Sequence, residues 1–498
     1  MKRILYILLP ALLAATSCKK SESSDADTPK YTSNNTTVLV SAFALKPNTK
    51  VLAHLDSVYF TIDTERMMIY NADSLPQGTD VSKLQVTMKF GSSVSSALFN
   101  VPGRVETIAY SSSMTDSIDF SKGSVILNVT SADGSNSVNY TINVNVHQSN
   151  PDAMTWVAGG IDNLGLEANS TVTSTRNDNG YYVIASDGSK MRLATTSSLF
   201  NAAWQVKDIT LPTAAVRDLT AVGTTLYCLG LENDDSLTGK LLKSEDNGET
   251  WSDTGEQWRT IIGAYGDDLL GIARGAEMGS DYEAASFYHV DYPGYRSAPA
   301  KVAAGFPVEG MSAPIEMTSS WSIDPYIIIA GGKTTAGTST SNVWAYDGET
   351  WGLLSGKTGT LPALHGMSVV PYYTFTLNTD NYTAKRSDAL YAFGGFYDDG
   401  AYNTRVFEST DKGLNWEPVD DDQQMPQAVY DKHFIGRAYV EATTISRDAA
   451  AMPWRRMAPT APVTSWDCPH VFGIGKGTGG VPMTLDGLYT RLTYAPIY

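Results

Sequence analysis

Ser244-Glu245-Asp246-Asn247-Gly248-Glu249-Thr250-Trp251 and Ser409-Thr410-Asp411-Lys412-Gly413-Leu414-Asn415-Trp416 follow one pattern, S-x-D-x-G-x-x-W. Each reads as a hairpin turn between two strands. The Asp carboxylate accepts backbone N–H groups, and Gly takes the position a side chain would strain. The Trp then anchors the strand that follows. Two matches in one chain make coincidence a poor explanation.

Outward from these turns, short apolar runs recur, each ending in Gly or another small residue and each followed by an aromatic. They are Tyr181–Ala185, Leu226–Gly230, Leu269–Ala273, Tyr326–Gly332, Leu390–Gly395 and Val471–Gly475, with Trp204, Trp251, Tyr288, Trp351, Trp416 and Tyr489 downstream. Six such units fill residues 151–498, each slightly longer than the roughly 40–50 residues of a four-stranded blade. This repetition predicts a β-propeller of six blades, with seven as the alternative count. The two turns, about three units apart, would then face each other across the ring. Strands around Tyr489 to Tyr494 are expected to pair with one near Met154 to Ala158 and so hide the sheet edges.

Upstream the pattern changes. Leu84, Val86, Met88 and Phe90 alternate with polar residues, as do Val138, Tyr140, Ile142, Val144 and Val146. Period-two alternation predicts antiparallel strands with one buried and one wet face, and Asp133-Gly134 is a hairpin signal. Residues 31–148 are therefore expected to form an immunoglobulin-like β-sandwich, bounded by Gln148-Ser149-Asn150-Pro151. The expected fold class is all-β throughout.

Lys2 and Arg3 precede the apolar run Ile4 to Ala15. A spanning helix needs about 20 apolar residues, so this run reads as a secretory signal. Its end, Leu13-Ala14-Ala15-Thr16-Ser17-Cys18, resembles a bacterial lipoprotein signal over residues 1–17, which implies lipidation of Cys18. Residues 18–30 are polar, lack apolar periodicity and read as a flexible tether. The scattered acids Glu22, Asp25 and Asp27 resemble the surface-export signal of Bacteroidetes lipoproteins. The location implied is the outer membrane, lipid-anchored at the cell surface, with a periplasm-facing attachment as the alternative. Cys228 and Cys468 stand apart in apolar contexts and read as buried thiols or one disulfide.

The chain carries 36 Lys+Arg against 53 Asp+Glu, a formal charge of −17, which argues against nucleic acid as a partner. No Cys/His cluster points to a metal, and no phosphate loop occurs. No cofactor is expected.

The two S-x-D-x-G-x-x-W stretches resemble the Asp-box of sialidase-type propellers, with Ser244, Asp246, Gly248, Trp251, Ser409, Asp411, Gly413 and Trp416 as its structural residues. In that family the boxes lie away from the active site. The catalytic set such a resemblance implies includes three arginines, one in an Arg-Ile-Pro motif, and no Arg-Ile-Pro occurs here. Arg274, Arg296, Arg386, Arg405, Arg437, Arg447, Arg455, Arg456 and Arg491 are present, but no spacing ties three to one site. Gly331-Gly332 and Gly394-Gly395, each followed by an aromatic and a Trp, resemble kelch repeats, as does Asn342 to Asp347. Kelch propellers include copper-radical oxidases and a sugar mutarotase. His289, His365, His433 and His470 stand isolated in sequence and read as surface or core residues rather than ligands. Taken whole, the chain resembles a domain-of-unknown-function family of Bacteroidetes lipoproteins with an immunoglobulin-like module and a kelch-like propeller.

The function expected is a non-catalytic surface module that presents a propeller face to a glycan or protein ligand, with no catalytic residues assigned. The alternative is a carbohydrate-active enzyme, a sialidase-like hydrolase or a kelch-type mutarotase, with its site in the propeller channel. A convergence of Arg, Glu, Asp and His at that channel would favour the enzyme.

Overall fold

The computed structural model describes residues 38–147, 150–161, 164–166, 170–200, 202–233, 236–273, 283–289, 300–318, 324–354, 359–446 and 465–489. The signal 1–17, Cys18, the tether 18–30, residues 490–494, the side chain of Cys468 and six of the arginines (Arg274, Arg296, Arg447, Arg455, Arg456 and Arg491) lie outside them. The described chain is almost entirely β.

The N-terminal part holds two sheets over one core. Val40–Leu45 pairs with Val86–Phe90, and six further strands run in the order Thr61–Asp63, Met68–Tyr70, Ser137–Asn143, Val125–Ser131, Val94–Asn100, Ile108–Ala109. The alternation does its expected work: Val125, Leu127 and Val129 are fully buried, and Val86 and Leu45 close over them from the other sheet. One pairing departs from the antiparallel expectation. Met68–Tyr70 lies parallel to Ser137–Asn143. A buried amide pair extends that junction: Asn71 Nδ2 donates to the Asn145 carbonyl at 2.9 Å, and Asn145 Nδ2 to the Asn71 carbonyl at 2.8 Å. Polar groups this deep persist because each has its partner.

The C-terminal part is a β-propeller. Its first sheet comprises Thr171–Asn177, Gly180–Ser186, Met191–Thr196 and Gln205–Asp208. A seven-stranded sheet follows, from Ala215–Val222 to Ala300–Lys301, in which the 14-residue strand Ser252–Tyr265 is the fourth. Two four-stranded sheets come next, Ile315–Met317 to Trp351–Leu354 and His365–Asn378 to Glu417–Pro418. The last sheet takes Ile435–Ser446, Ser465–Lys476 and Pro482–Tyr489 and completes itself with Met154–Gly160 from the start of the domain. Tyr489 stands opposite Met154, so the final strand and the first share one ladder.

The apolar runs singled out by sequence lie in the second strand of a sheet, except Leu269–Ala273, which lies in the fifth strand of the seven-stranded one, and Gly331-Gly332, which follow their strand. Gly180–Ser186 is buried along its whole length. A strand covered on both faces needs a continuous apolar run instead of alternation, which is why these runs do not show period two. Apolar clusters fill the spaces between sheets. Ile184 and Leu193 of the first sheet meet Leu226 and Leu242 of the second, and Phe472 and Ile474 of the last sheet return to Tyr181 and Val183 of the first.

The two parts are locked by a hairpin. Strands His365–Asn378 and Thr383–Phe396 pair without interruption to their tip. There Tyr382, at φ 61°, buries its ring in the N-terminal core and donates its hydroxyl to the Ala53 carbonyl.

Candidate functional site

In a meander of four strands, the turns joining strands one to two and three to four share one rim, and the two-to-three loops occupy the other. The S-x-D-x-G-x-x-W turns both join strands of the three-to-four kind and so lie on the same rim. Their geometry is nearly identical. Ser244 Oγ donates to Asp246 Oδ1 at 2.8 Å and accepts from Gly248 N at 2.9 Å. Ser409 does the same with Asp411 and Gly413, at 2.9 Å in both bonds. Asp246 takes Thr250 N at 2.9 Å and Thr250 Oγ1 at 2.6 Å, while Asp411 takes both the backbone and side-chain nitrogens of Asn415. Each Trp donates Nε1 to its own Gly carbonyl, at 3.1 and 3.0 Å. The glycines sit at φ 87° and 90° and press on the preceding sheet. A Cβ would lie 2.9 Å from Leu193 Cδ2 at Gly248 and 3.3 Å from Ile328 Cδ1 at Gly413.

The carboxylates respond to these bonds. Hydrogen bonds from Thr250 hold Asp246 down to about 2. Burial pushes Asp411 up, but the bonds from Asn415 and Ser409 outweigh it and keep it below the ordinary carboxylate value.

Beside the first turn, between the first sheet and its neighbour, opens a cleft of about 530 Å³. Asn247, the turn residue at φ 59°, points its carbonyl oxygen across to the first sheet, where Tyr182 Oη donates at 2.9 Å and Asn179 Nδ2 at 3.2 Å. Lys207 bridges to Glu249 at 2.6 Å on the rim of the cleft. Gly180, at φ 145°, forms the wall; a Cβ there would lie 2.4 Å from the Thr196 carbonyl oxygen. A second hollow of about 520 Å³, walled by the same Gly180, Tyr181 and Ser197, adjoins it and reaches Arg176.

The opposite rim carries a second group of charged residues. Arg259 is 7% exposed and reaches the Glu309 carboxylate, with Nη1 donating to the Leu237 carbonyl at 3.1 Å. Arg217 donates to the carbonyls of Ser236 at 3.2 Å and Leu237 at 3.0 Å, and to that of Arg259. Asp218, at φ 54°, accepts Thr260 Oγ1 at 2.8 Å. Further round the ring, Ser339 Oγ lies 3.0 Å from His365 Nδ1 and donates to Asp398 Oδ1 at 2.7 Å. Burial and Lys333 hold the imidazole below its usual value, against the pull of Asp398 and Glu309. A nucleophilic relay needs the carboxylate on the far side of the imidazole. Here Asp398 grips the serine instead, so the trio ties loop to strand.

The glycine pairs shape this rim. Gly331 and Gly332 lie at φ 65° and 96°, and a Cβ on Gly332 would meet the Glu309 carbonyl at 2.8 Å. Only a bare backbone lets the loop after that strand pack against Glu309.

The histidines are less isolated than their spacing suggests. His470 is fully buried, bonded to Asp486 through Nδ1 at 2.7 Å and stacked on Phe472. Cys228 is buried and unpaired by any disulfide. Of the arginines singled out from sequence, Arg386 lies over the Tyr373 ring at 4.2 Å and Arg437 reaches Thr220 Oγ1 at 3.4 Å; the described ones do not converge. Arg217 and Arg259, which build the charged rim, escaped the sequence reading. Arg259 stands between Trp258 and Thr260-Ile261-Ile262, and an arginine in so apolar a strand must have buried partners. That context was the available signal.

Residues 150–484 match the family model described as the DUF6242 beta propeller domain. Residues 25–144 match the N-terminal domain of the same family, described as a domain of unknown function. No curated protein matches. Among solved structures, TolB from Acinetobacter baumannii aligns over 73% of this chain and 76% of its own at 10% identity. The TM-score is 0.28, too loose a likeness to carry an argument.

Proposed function

We propose, for a chain that belongs to the DUF6242 family, a non-catalytic binding module: a lipoprotein anchored through Cys18 in the outer membrane, presenting one propeller rim to a glycan or protein ligand at the cell surface. The observation that carries this reading is the cleft beside Asn247, a polar hollow on a rigid frame, within the roughly 300–1,000 Å³ range of ligand sites. Loops held by such frames are where binding residues gather.

Finer parts of the architecture belong to the same proposal. The seven-stranded sheet reads as two blades sharing the long strand Ser252–Tyr265, whose first part pairs with Gly239–Ser244 and whose second part pairs with Asp268–Ala273. That count makes six blades. The twin turns are read as Asp-boxes on opposite blades, and the glycine pairs as kelch features. The N-terminal sheets are read as an immunoglobulin-like spacer above the tether.

A screen of the full-length protein against glycan and host-matrix arrays tests the binding function, and uniformly negative results would sink it. Cys18→Ala tests the anchor: the variant should leave the membrane fraction, and retention there would overturn lipid anchoring. A second reading, a carbohydrate-active enzyme, draws on the Arg217, Asp218, Arg259 and Glu309 group at the charged rim. Turnover of sialosides or aryl glycosides that is lost in Glu309→Gln would replace the first reading with this one.

A further inference from the structure

We infer that the cleft beside Asn247 is a site for a neutral oligosaccharide, an inference that rests on the binding reading above and names its ligand. Three features of the cleft point to that chemistry.

The first is a set of amide and hydroxyl groups left open. Both bonds to Asn247 use its carbonyl oxygen, so its amide nitrogen keeps two N–H groups with no acceptor among the described residues. The Gln205 side chain faces the same hollow and makes no side-chain hydrogen bond among the described residues, and the exposed Ser197 hydroxyl lies on the wall. Amides and hydroxyls offer donors and acceptors side by side, which suits the vicinal hydroxyls of a sugar.

The second is charge. The two charged residues of the cleft, Lys207 and Glu249, bind each other at 2.6 Å, and the adjoining hollow holds one charge of each sign, Arg176 and Asp178, so the groove carries no net charge to favour an acidic ligand. In a chain of net charge −17 an anionic glycan would also meet long-range repulsion.

The third is shape. The hollow is about 530 Å³ and continues past Gly180 into the neighbouring one of about 520 Å³. A groove of that extent suits several linked sugar rings better than one. It is also preformed. Asn247 is fixed by a turn whose Ser, Asp and Gly are bonded to one another, so little ordering is needed on binding.

The test is direct binding of the full-length protein to an array of neutral, sialylated and sulfated oligosaccharides, followed by calorimetry with the best neutral ligand. Asn247→Asp keeps the acceptor for Tyr182 and Asn179, tolerates the left-handed backbone and removes the free N–H groups. It should weaken binding at least tenfold. Gln205→Ala, on an exposed strand position where folding is not at stake, should weaken it severalfold, and Lys412→Ala at the other turn should not change it. Neutral-glycan binding that ignores both cleft variants would overturn the assignment of the site. Capture of an acidic glycan or a polypeptide that depends on Asn247 would overturn the ligand class while leaving the binding function standing. No binding of any class would overturn both.

Discussion

The two S-x-D-x-G-x-x-W turns share bonds that agree within about 0.1 Å, yet they sit in different surroundings. Trp416 is 3% exposed and packs among Ile328, Leu361 and Leu390, whereas Trp251 is only half-buried at the edge of its cluster. At the second turn Lys412 leans across to the Thr318 carbonyl at 2.7 Å. At the first, Asn247 in the same left-handed position faces the cleft. The comparison separates two roles of one motif. The Ser, Asp and Gly make the turn; the residue between Asp and Gly is free to vary, and what it touches depends on the neighbouring sheet.

That separation can be broken in order of effect. Trp416→Ala should cost about 3–5 kcal/mol, the range for emptying a fully buried aromatic site, and Trp251→Ala clearly less. Chemical denaturation of both variants measures this, and equal losses would show that the two turns are packed alike. Gly248→Ala and Gly413→Ala should each cost about 1–3 kcal/mol, because alanine at φ near 90° is strained. The loss should be larger at Gly248, where the added Cβ meets Leu193 at 2.9 Å; thermal melts that reverse this order would contradict the contact geometry.

The acid response comes next. Asp246 titrates at about 2 when folded against about 3.9 in an unfolded chain, so its stabilising effect is present above pH 4 and lost as pH falls from 4 to 2. Asp246→Asn should therefore flatten the stability profile over that window, which denaturation at stepped pH would reveal. An unchanged profile would mean that the carboxylate does not hold the turn. The smallest effects belong to Asn247→Asp and Lys412→Ala, expected within about 0.5 kcal/mol in stability. If Asn247→Asp instead melted the propeller, the intervening position would be structural after all.

Much of this fold was legible because its signals are local. An eight-residue turn contains all of its own partners, and an apolar run reports burial on both faces without reference to where the neighbours come from. Tyr489 and Met154 were also a readable pair, since a ring of sheets has to close and the two ends of the domain are what remain. The parallel pairing of Met68–Tyr70 with Ser137–Asn143 was not readable, because alternation specifies which face is buried and not the direction of the partner strand. Arg217 and Arg259 escaped notice for a related reason. Their partners are carbonyls and a carboxylate on distant segments, which spacing does not mark; only the apolar run around Arg259 signalled that buried partners were needed.

By itself the sequence determined the all-β class, the repeated strands, the twin turns and the positions that had to be Gly or Trp, since each follows from backbone sterics and burial within a few residues. Only the tertiary structure decided what those elements face. Tyr182 meets Asn247 from 65 residues away, Arg259 meets Glu309 from 50, and Tyr382 enters a core whose carbonyl partner lies 329 residues back. Such contacts depend on how sheets stack around the ring, which joins residues that no local pattern relates.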